Sequence, residues 1–293
     1  MTSRTAVCLL VINRIVELPG LAVESILRNS QSDIYVGYIN HDDVKDLPID
    51  SRITYLNIGK QTFSNFEPSP DSIYKDFSKK SFFILVQYKW TLLLRMLELD
   101  HEYIVYSDLD VIWVADAAKE IQNSFDQMKF SNVFIQNFTS SPFSPKLCMG
   151  FAGFRKTESV KDFLERASKV HSSELELNSH FGDDDVMTKL YIEDGLPISI
   201  QQLPQSTFPV GNLLNLYSSK LVFPGLTPPK PFIFHSNYVV GLRNKRLMSR
   251  LFLINMGISY SATKLDVRWR FLLFGIRLKL SVAKLRRKIL PKL

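Results

Sequence analysis

The stretch YIVYSDLDVIW, from Tyr103 to Trp113, decides the fold because an apolar run ends in two acids one residue apart. A β-strand carries residues i and i+2 on the same face. If a strand ends here, Asp108 and Asp110 can point at one spot beyond its carboxyl end. Open α/β sheets bind their ligands at that edge.

The two acids need a partner if they converge. Two carboxylates without a cation repel each other and raise each other's pKa. A hard divalent metal ion removes that conflict and can hold a diphosphate at the same time. The alternative is an ordinary strand end with two solvated acids, and an isolated D-x-D does not exclude it.

Apolar runs of strand length alternate with helical patterns on both sides of this stretch. This alternation predicts βαβ units and an α/β fold with a mixed, mostly parallel sheet flanked by helices. The predicted strands are Val7–Ile12, Ile34–Ile39, Ile53–Ile58, Tyr103–Tyr106, Val133–Gln136 and Ile198–Leu203. The predicted helices are Leu21–Arg28, Phe82–Leu99, Ser159–Val170 and Asp184–Tyr191.

Composition excludes a disordered or disulfide-built chain. Hydrophobic residues make up 45% of the 293 residues, which is ample for a sizeable core. The two cysteines, Cys8 and Cys148, do not form a disulfide framework pattern, and a reducing compartment suits them.

Charge divides the chain into two parts. From Arg243 onward there are 14 Lys or Arg residues and one acid, so the net charge of +7 splits into +13 for this tail and −6 for the preceding residues. We therefore expect a catalytic domain at 1–242 and a basic helical tail at 243–293. Apolar residues at three- and four-residue steps, from Leu265 to Ala283, suit an amphipathic helix on an anionic membrane. The alternatives are a helix packed on the body and, less favoured for want of a recognisable module, nucleic-acid binding.

No secretory signal is visible, since the first residues lead directly into the apolar run that begins at Val7. The segment from Phe271 to Leu285 is interrupted by three basic residues and is not expected to span a membrane. The expected location is cytoplasmic, with the tail able to attach to the inner face of a membrane.

Four ordered segments carry a family resemblance. They are SDLDVIW at 107–113, CMGFAGFR at 148–155, DDDV at 183–186 and FHSNY at 234–238, which Gly241 and Lys245 follow. They resemble the metal motif, the Asn-Ser-Gly-Phe segment, the Asp-Gln-Asp stretch and the His-x-Asn-aromatic segment of nucleotide-diphospho-sugar transferases, glycosyltransferases of the GT-A fold. Cys148 and Met149 replace the polar pair of the second segment, and Asp184 replaces the glutamine of the third.

The resemblance implies a metal site made of Asp108, Asp110 and His235. It also implies a nucleoside-diphosphate sugar as donor, with Asp108 able to meet its ribose, and UDP as the expected nucleotide. Imidazole suits Mn²⁺ better than the strongly oxygen-preferring Mg²⁺, so Mn²⁺ is the expected metal. The alternative for His235 is a core histidine beside its apolar neighbours.

Three consecutive acids open the helix predicted at Asp184–Tyr191. The resemblance implies that one or two of Asp183, Asp184 and Asp185 contact donor-sugar hydroxyls. Asp184 could instead be the base that deprotonates an acceptor hydroxyl. Relatives of this kind mostly transfer with retention of the anomeric configuration, which we favour, and an aspartate here leaves inversion open. The structural alternative is a solvated helix start stabilised by the helix dipole.

Further candidate donor contacts are Lys89, Asn13, Arg14 and Gly150. Lys89 lies on the helix before the strand that carries the two acids, and it matches a basic position in similar sequences. Asn13 and Arg14 follow the first strand at the ligand edge of the sheet. Gly150 would allow the donor sugar to approach the backbone closely. Each also has an ordinary alternative: a solvated lysine, a strand-to-helix turn and a structural glycine.

The sequence thus predicts a metal-dependent glycosyltransferase, a hexosyl- or pentosyltransferase, whose acceptor is a glycan or a lipid-linked glycan. A phosphatase of the haloacid-dehalogenase type also uses D-x-D, but Gly-Thr follows that motif, whereas Val111 and Ile112 follow it here. A sugar-nucleotide-binding or membrane-adaptor protein that keeps the fold without catalysis is the second hypothesis, supported by the departure at Cys148 and Met149. The sugar, linkage, acceptor and oligomeric state are not encoded in any motif.

Overall fold

The structure is a computed structural model that describes residues 4–12, 18–59, 80–137, 146–178, 180–192, 198–210, 231–236 and 245. Asn13, Arg14, Asn237 and Gly241 lie outside the described residues, as does the tail from 246 to 293. The predicted domain boundary, the amphipathic helix and the donor contacts of Asn13 and Arg14 therefore stay predictions. Within the described ranges, no helix combines the length and the apolar character that a membrane span requires.

Strands and helices alternate through the first half of the chain and become more varied after it. The strands are β1 Thr5–Val11, β2 Asp33–Tyr38, β3 Ile53–Asn57, β4 Tyr103–Ser107, β5 Val111–Trp113, β6 Val133–Asn137, β7 Leu147–Arg155, β8 Ile200–Gln202 and β9 Ile233–His235. The α-helices are α1 Leu18–Asn29, α2 Lys80–Val86, α3 Tyr88–Leu97, α4 Ala117–Gln127, α5 Glu158–Leu177 and α6 Asp183–Ile192, with a short 3₁₀ helix at His41–Asp43.

Seven strands form the main sheet in the order β3-β2-β1-β4-β7-β6-β8. Neighbours β3, β2, β1 and β4 run parallel, and β6 runs parallel to β8, while β7 is antiparallel to both β4 and β6. The sequence prediction of a mixed, mostly parallel α/β sheet flanked by helices is confirmed.

Two apolar cores cover the two faces of this sheet. Successive residues of β1 point to opposite faces, so Cys8 and Leu10 join one core while Leu9 and Val11 join the other. Helices α3, α5 and α6 contribute buried side chains to the first core, and α1 and α4 to the second. Burial of each large apolar side chain stabilises the fold by about 1.5–3 kcal/mol, so both layers hold the central strands rigidly.

One predicted helix is two helices. The sequence predicts a single helix at Phe82–Leu99, but α2 ends at Val86 and α3 begins at Tyr88. Around Gln87 the backbone bonds tighten to three-residue spacing, from Gln87 N–H to the Ile84 carbonyl and from Trp90 N–H to the Gln87 carbonyl. Such 3₁₀ geometry interrupts an α-helix without any break in its apolar pattern.

The chain leaves the main sheet at the motif that contains Asp108 and Asp110. After β4 ends at Ser107, a turn carries the two acids into β5, which pairs with β9 in a separate two-stranded sheet. Val111 is the register partner of His235, and the N–H of Ser236 donates to the carbonyl of Asp110 at 3.0 Å. This short pairing brings the histidine to the acids.

Strand β7 carries an irregularity at the same end of the sheet. Its pairing with β6 jumps from Ile135–Ala152 to Gln136–Cys148, so the residues from Met149 to Phe151 have no partner on that side. Insertions of this kind bend a strand and redirect its side chains. Here the irregular segment lies beside the turn of the two acids, because the N–H of Asp108 donates to the carbonyl of Gly150 at 2.7 Å.

Candidate active site

Asp108, Asp110 and His235 offer one ligand atom each, and these atoms all lie within 4.8 Å of one another. His235 Nε2 is 3.4 Å from Oδ1 of Asp110. The side chains of His235 and Asp110 are 2% and 8% exposed, and that of Asp108 is 27% exposed. The strand-end geometry expected from the D-x-D sequence therefore occurs, with the third predicted ligand beside it.

The chemistry of this donor set fits a divalent transition metal. Two carboxylates and one imidazole are ligands that Mn²⁺ accepts. Among the described residues that line the cavity there are five aspartates and four lysines. The charges of Asp110 and Asp183 raise the pKa of Asp108. A divalent cation beside these carboxylates would offset their repulsion.

Lys89 is a buried cation that joins two parts of the site. Its ammonium lies 3.0 Å from Asp108 Oδ1 and 2.5 Å from Asp183 Oδ2. Burial alone would lower the pKa of Lys89, but the charges of Asp108 and Asp183 outweigh it and hold this pKa well above its ordinary value. The lysine therefore stays charged and ties helix α3 to the start of α6.

Asp110 is held ionised by its neighbours. Burial opposes its charge, yet the ammonium of Lys245 and the imidazole of His235 lower the pKa of this carboxyl below its usual range. Lys245 donates a hydrogen bond directly to Oδ2 of Asp110. The sequence analysis placed Lys245 only in a family segment, because no local pattern predicts which carboxylate a distant lysine will meet.

The pKa of Asp108 is shifted in the opposite direction from that of Asp110. Burial raises its pKa, Lys89 lowers it, and the charges of Asp110 and Asp183 raise it again, with a net upward shift. The hydroxyl of Tyr106 donates to Asp108 Oδ1 at 2.8 Å. Burial is the largest cause of this shift, and the contribution of Asp110 is the repulsion between converging carboxylates that the sequence analysis expected.

Gly150 makes room for the histidine. A Cβ built on Gly150 would lie 2.1 Å from Cε1 and 2.6 Å from Nε2 of His235, and 3.1 Å from Oδ2 of Asp108. Any side chain here would therefore displace two of the three candidate ligands. The sequence analysis assigned Gly150 to close approach of the donor sugar; the observed close approach is that of His235.

The three consecutive acids of α6 have different surroundings. Asp183 pairs with Lys89, and Oδ1 of Asp184 accepts from the backbone N–H of Met149 at 2.6 Å. Burial, followed by the charge of Asp183, raises the pKa of Asp184 well above its ordinary value. Asp185 is exposed, and its Oδ2 accepts from the N–H of Gly182 at 2.9 Å, which caps the start of the helix.

A cavity of about 710 Å³ connects these groups. Its polar part includes the candidate metal triad of Asp108, Asp110 and His235, together with Lys89, Lys245 and the acids of α6; its apolar part includes Phe82, Phe83 and Phe181. A cavity of this size is large enough for a cofactor or substrate of drug size. The structure thus brings Lys89, Asp108, Asp110, Gly150, Asp183, Asp184, Asp185 and His235 to one cavity.

One buried polar residue of this site has no motif in the sequence. Gln136 lies at the end of β6, is fully buried, and contacts His235 through its amide oxygen at 2.8 Å. The sequence analysis included Gln136 only as the end of a strand. A polar residue that ends an apolar strand is the available signal, and it does not say which partner the side chain will find.

Comparison with known proteins identifies the family. The family model of the nucleotide-diphospho-sugar transferases matches residues 54–248. The chain belongs to this family. Among curated proteins it is similar to UDP-D-xylose:L-fucose alpha-1,3-D-xylosyltransferase 3 of Arabidopsis thaliana, with 26% identity over 191 residues. The match covers 60% of this chain and 48% of that protein, so the chain spans about half the length of this relative.

A solved glycosyltransferase shares the fold. The glycosyltransferase GlyE of Streptococcus pneumoniae TIGR4 aligns with a TM-score of 0.51 and 12% identity over 80% of this chain and 55% of its own. Mouse Xyloside xylosyltransferase 1, in its apo form, aligns with a TM-score of 0.49 and 12% identity over 80% of this chain and 98% of its own. At this identity, the likeness to GlyE concerns the fold alone.

Proposed function

We propose that this protein is a metal-dependent glycosyltransferase that moves a sugar from a nucleoside-diphosphate sugar to a hydroxyl group of a glycan or lipid-linked acceptor. One observation carries the proposal: the ligand atoms of Asp108, Asp110 and His235 lie within 4.8 Å of one another at the wall of a substrate-sized cavity. Membership of the nucleotide-diphospho-sugar transferase family supports it.

The proposed chemistry assigns a task to each group. A bound Mn²⁺ or Mg²⁺ would supply Lewis-acid stabilisation of the charge that grows on the departing diphosphate. Asp108, Asp110 and His235 would hold that ion, with Mn²⁺ favoured because imidazole is among the ligands. Lys89 keeps Asp108 and Asp183 in place and adds positive charge on the donor side of the cavity.

UDP is the proposed nucleotide, and a pentose or hexose is the proposed sugar. The Arabidopsis relative is named for transfer of xylose from UDP-D-xylose, which supports a UDP-pentose as the first donor to test. We assign Asp183 and Asp184 to the donor sugar's hydroxyls, because both line the cavity beside the metal triad.

Transfer with retention of the anomeric configuration is proposed. NMR determination of the anomeric configuration of a product decides between retention and inversion.

The direct test is incubation of the full chain with Mn²⁺ and a panel of UDP- and other nucleotide-sugars. Slow hydrolysis of one donor, lost in Asp110→Asn with folding retained, supports the enzyme. Asp116→Asn serves as a matched control, because Asp116 caps helix α4 and does not line the cavity. Donor binding without turnover for any donor or acceptor would favour the non-catalytic adaptor instead.

The acceptor and the location of the protein are proposed from the basic tail. A net charge of +13 from Arg243 onward suits attachment to an anionic membrane surface, where lipid-linked glycans are found. Sedimentation with anionic liposomes compares the intact chain with one that ends after Met256, which keeps Lys245 and its hydrogen bond to Asp110. Equal partitioning of the two forms would remove the membrane proposal and leave the transferase proposal intact.

A further inference from the structure

Gln136 is placed so that it can determine which nitrogen of His235 faces the carboxylates. Its side chain is fully buried, and its oxygen Oε1 lies 2.8 Å from Nδ1 of His235. The opposite nitrogen, Nε2, is the one that lies 3.4 Å from Asp110. The two ring nitrogens therefore face different groups, one a glutamine and the other the candidate metal position.

The orientation of the glutamine amide is fixed by the backbone on its far side. Nε2 of Gln136 donates to the carbonyl oxygens of Phe208 at 3.1 Å and Pro209 at 3.3 Å. A carbonyl oxygen accepts hydrogen bonds and does not donate them. A flipped amide would set its oxygen against both carbonyls, so Oε1 must be the atom that faces His235.

An amide oxygen only accepts, so the proton between Gln136 and His235 belongs to Nδ1 of the imidazole. A neutral imidazole that carries its proton on Nδ1 has its lone pair on Nε2, which is the form that binds a metal ion through Nε2. The thiol of Cys148 also lies near Nδ1, at 3.7 Å, but the amide oxygen is much closer.

We propose that Gln136 is a positioning residue for the metal site: it holds His235 in the Nδ1–H tautomer and so presents Nε2 as a ligand beside Asp110. The inference rests on the proposed function, since it concerns the metal of that site. The pairing of β6 with β7 is irregular at this point, since Ile135 pairs with Ala152 and Gln136 pairs with Cys148. Such an irregularity redirects side chains, and here it accompanies the side chain of Gln136 that faces His235. Through Gln136, the loop at Phe208 and Pro209 helps to order the metal ligand.

The test combines metal affinity with the tautomer itself. Gln136→Leu removes the acceptor, and we expect about 10–100-fold weaker Mn²⁺ binding, the usual effect of losing a partner behind a metal ligand. The control is Gln87→Leu, since Gln87 is also buried but donates to Ser172 and does not line the cavity.

NMR of the full chain labelled with ¹⁵N-histidine, without metal, reads directly which ring nitrogens of His235 carry protons. A proton on Nδ1 of His235 in the unaltered chain, lost as the preferred form in Gln136→Leu, supports the inference. A proton on Nε2 with none on Nδ1 in the unaltered chain overturns it, even if Gln136→Leu fails to fold. Equal Mn²⁺ affinity of the folded Gln136→Leu and unaltered chains also overturns it.

These outcomes are distinct from failure of the proposed function. An unaltered chain that binds no Mn²⁺ and hydrolyses no donor contradicts the transferase proposal whatever the tautomer is. Normal donor hydrolysis together with unchanged Mn²⁺ binding in Gln136→Leu contradicts only the role of Gln136.

Discussion

Gly150 lies directly against the imidazole of His235, with only 2.1 Å between an added Cβ and Cε1 of the ring. Real Cβ atoms do not approach other atoms so closely, so a larger residue must push the ring or the backbone aside. The ring is buried and held by Gln136, and the irregular segment of β7 holds the glycine. Neither neighbour moves without disturbing the candidate metal ligands.

Gly150→Ala should therefore damage the site more than the fold. We expect Mn²⁺ affinity to fall by about 10-fold or more and the free energy of unfolding to fall by about 1–3 kcal/mol. Isothermal titration with Mn²⁺ and urea denaturation measure the two effects. Gly20→Ala in helix α1 is the control, because a Cβ there meets nothing within 4 Å. An unchanged Mn²⁺ affinity in Gly150→Ala would separate this glycine from metal binding.

Lys89→Met should destabilise the metal-free protein. Mn²⁺ should raise the free energy of unfolding of this variant more than it raises that of the parent. The change leaves Asp108 and Asp183 facing each other without their shared cation. We expect a loss of about 3 kcal/mol, the lower end for breaking a buried ion pair, because the cavity partly hydrates both carboxylates. Thermal or urea unfolding with EDTA and with Mn²⁺ measures it.

The control for this change is Lys161→Met. Lys161 pairs with Glu158 at 3.8 Å on the surface, where both side chains are at least half exposed. Loss of such a pair costs less than about 1 kcal/mol. If the two lysine variants lost equal stability, the ion pairs of Lys89 would not matter to the fold.

His171 gives the fold a predictable dependence on pH. It is fully buried; its Nδ1 accepts from the indole of Trp90 at 2.8 Å, and its Nε2 lies 3.0 Å from the carbonyl of Phe181. Burial lowers the pKa of His171, and Lys89 adds to this, while Asp183, Asp185 and the Phe181 carbonyl oppose it. The folded state therefore resists a proton that the unfolded chain accepts.

The pKa of His171 is lower in the folded protein than in the unfolded chain. Its contribution to the free energy of unfolding is therefore fully present at high pH and falls as pH drops below about 6.5. His171→Phe should reduce that part of the pH dependence. At high pH it should also cost about 1–3 kcal/mol, because Trp90 and Phe181 lose their hydrogen-bond partner. Urea denaturation across the pH range, with His41→Asn as the control for an exposed histidine, measures both. Identical pH profiles for the parent and His171→Phe would contradict the assignment.

The sequence predicts the parts of this molecule that depend on local patterns. The alternation of apolar strands and helices predicts the sheet, and the D-x-D after β4 predicts that two carboxylates converge at its edge, where the structure places them beside His235. The sequence analysis did not predict α4, β5, β7 or β9. The strands β5 and β9 have three residues each and carry no periodicity, and β7 is buried along almost its whole length and shows no alternation. In α4 the buried residues Ala117, Ile121 and Phe125 do recur at four-residue steps, and the sequence analysis missed this pattern. The partners of Gln136, Gly150 and Lys245 are long-range contacts, set by strand register and an irregular β7, and no local pattern encodes them.

Two adjacent acids of α6 should respond in opposite ways to substitution. Asp184 is costly to ionise where it lies, since burial and the charge of Asp183 raise its pKa. Asp184→Asn removes that charge and keeps an oxygen for the Met149 N–H, so stability at neutral pH should rise or stay level. Donor hydrolysis should fall by about 10-fold or more if the carboxylate contacts the sugar, an effect of the size of lost positioning or acid–base catalysis.

Asp185→Ala should lower stability while largely preserving donor hydrolysis. The exposed carboxylate of Asp185 caps the N–H of Gly182, so its loss should lower the free energy of unfolding by about 0.5–2 kcal/mol, the range for a helix cap. Its effect on hydrolysis should be much smaller than that of Asp184→Asn, because the carboxylate is engaged in the cap. Urea denaturation and donor hydrolysis are measured on both variants. A larger loss of hydrolysis in Asp185→Ala than in Asp184→Asn would assign the donor contact to Asp185 instead of Asp184.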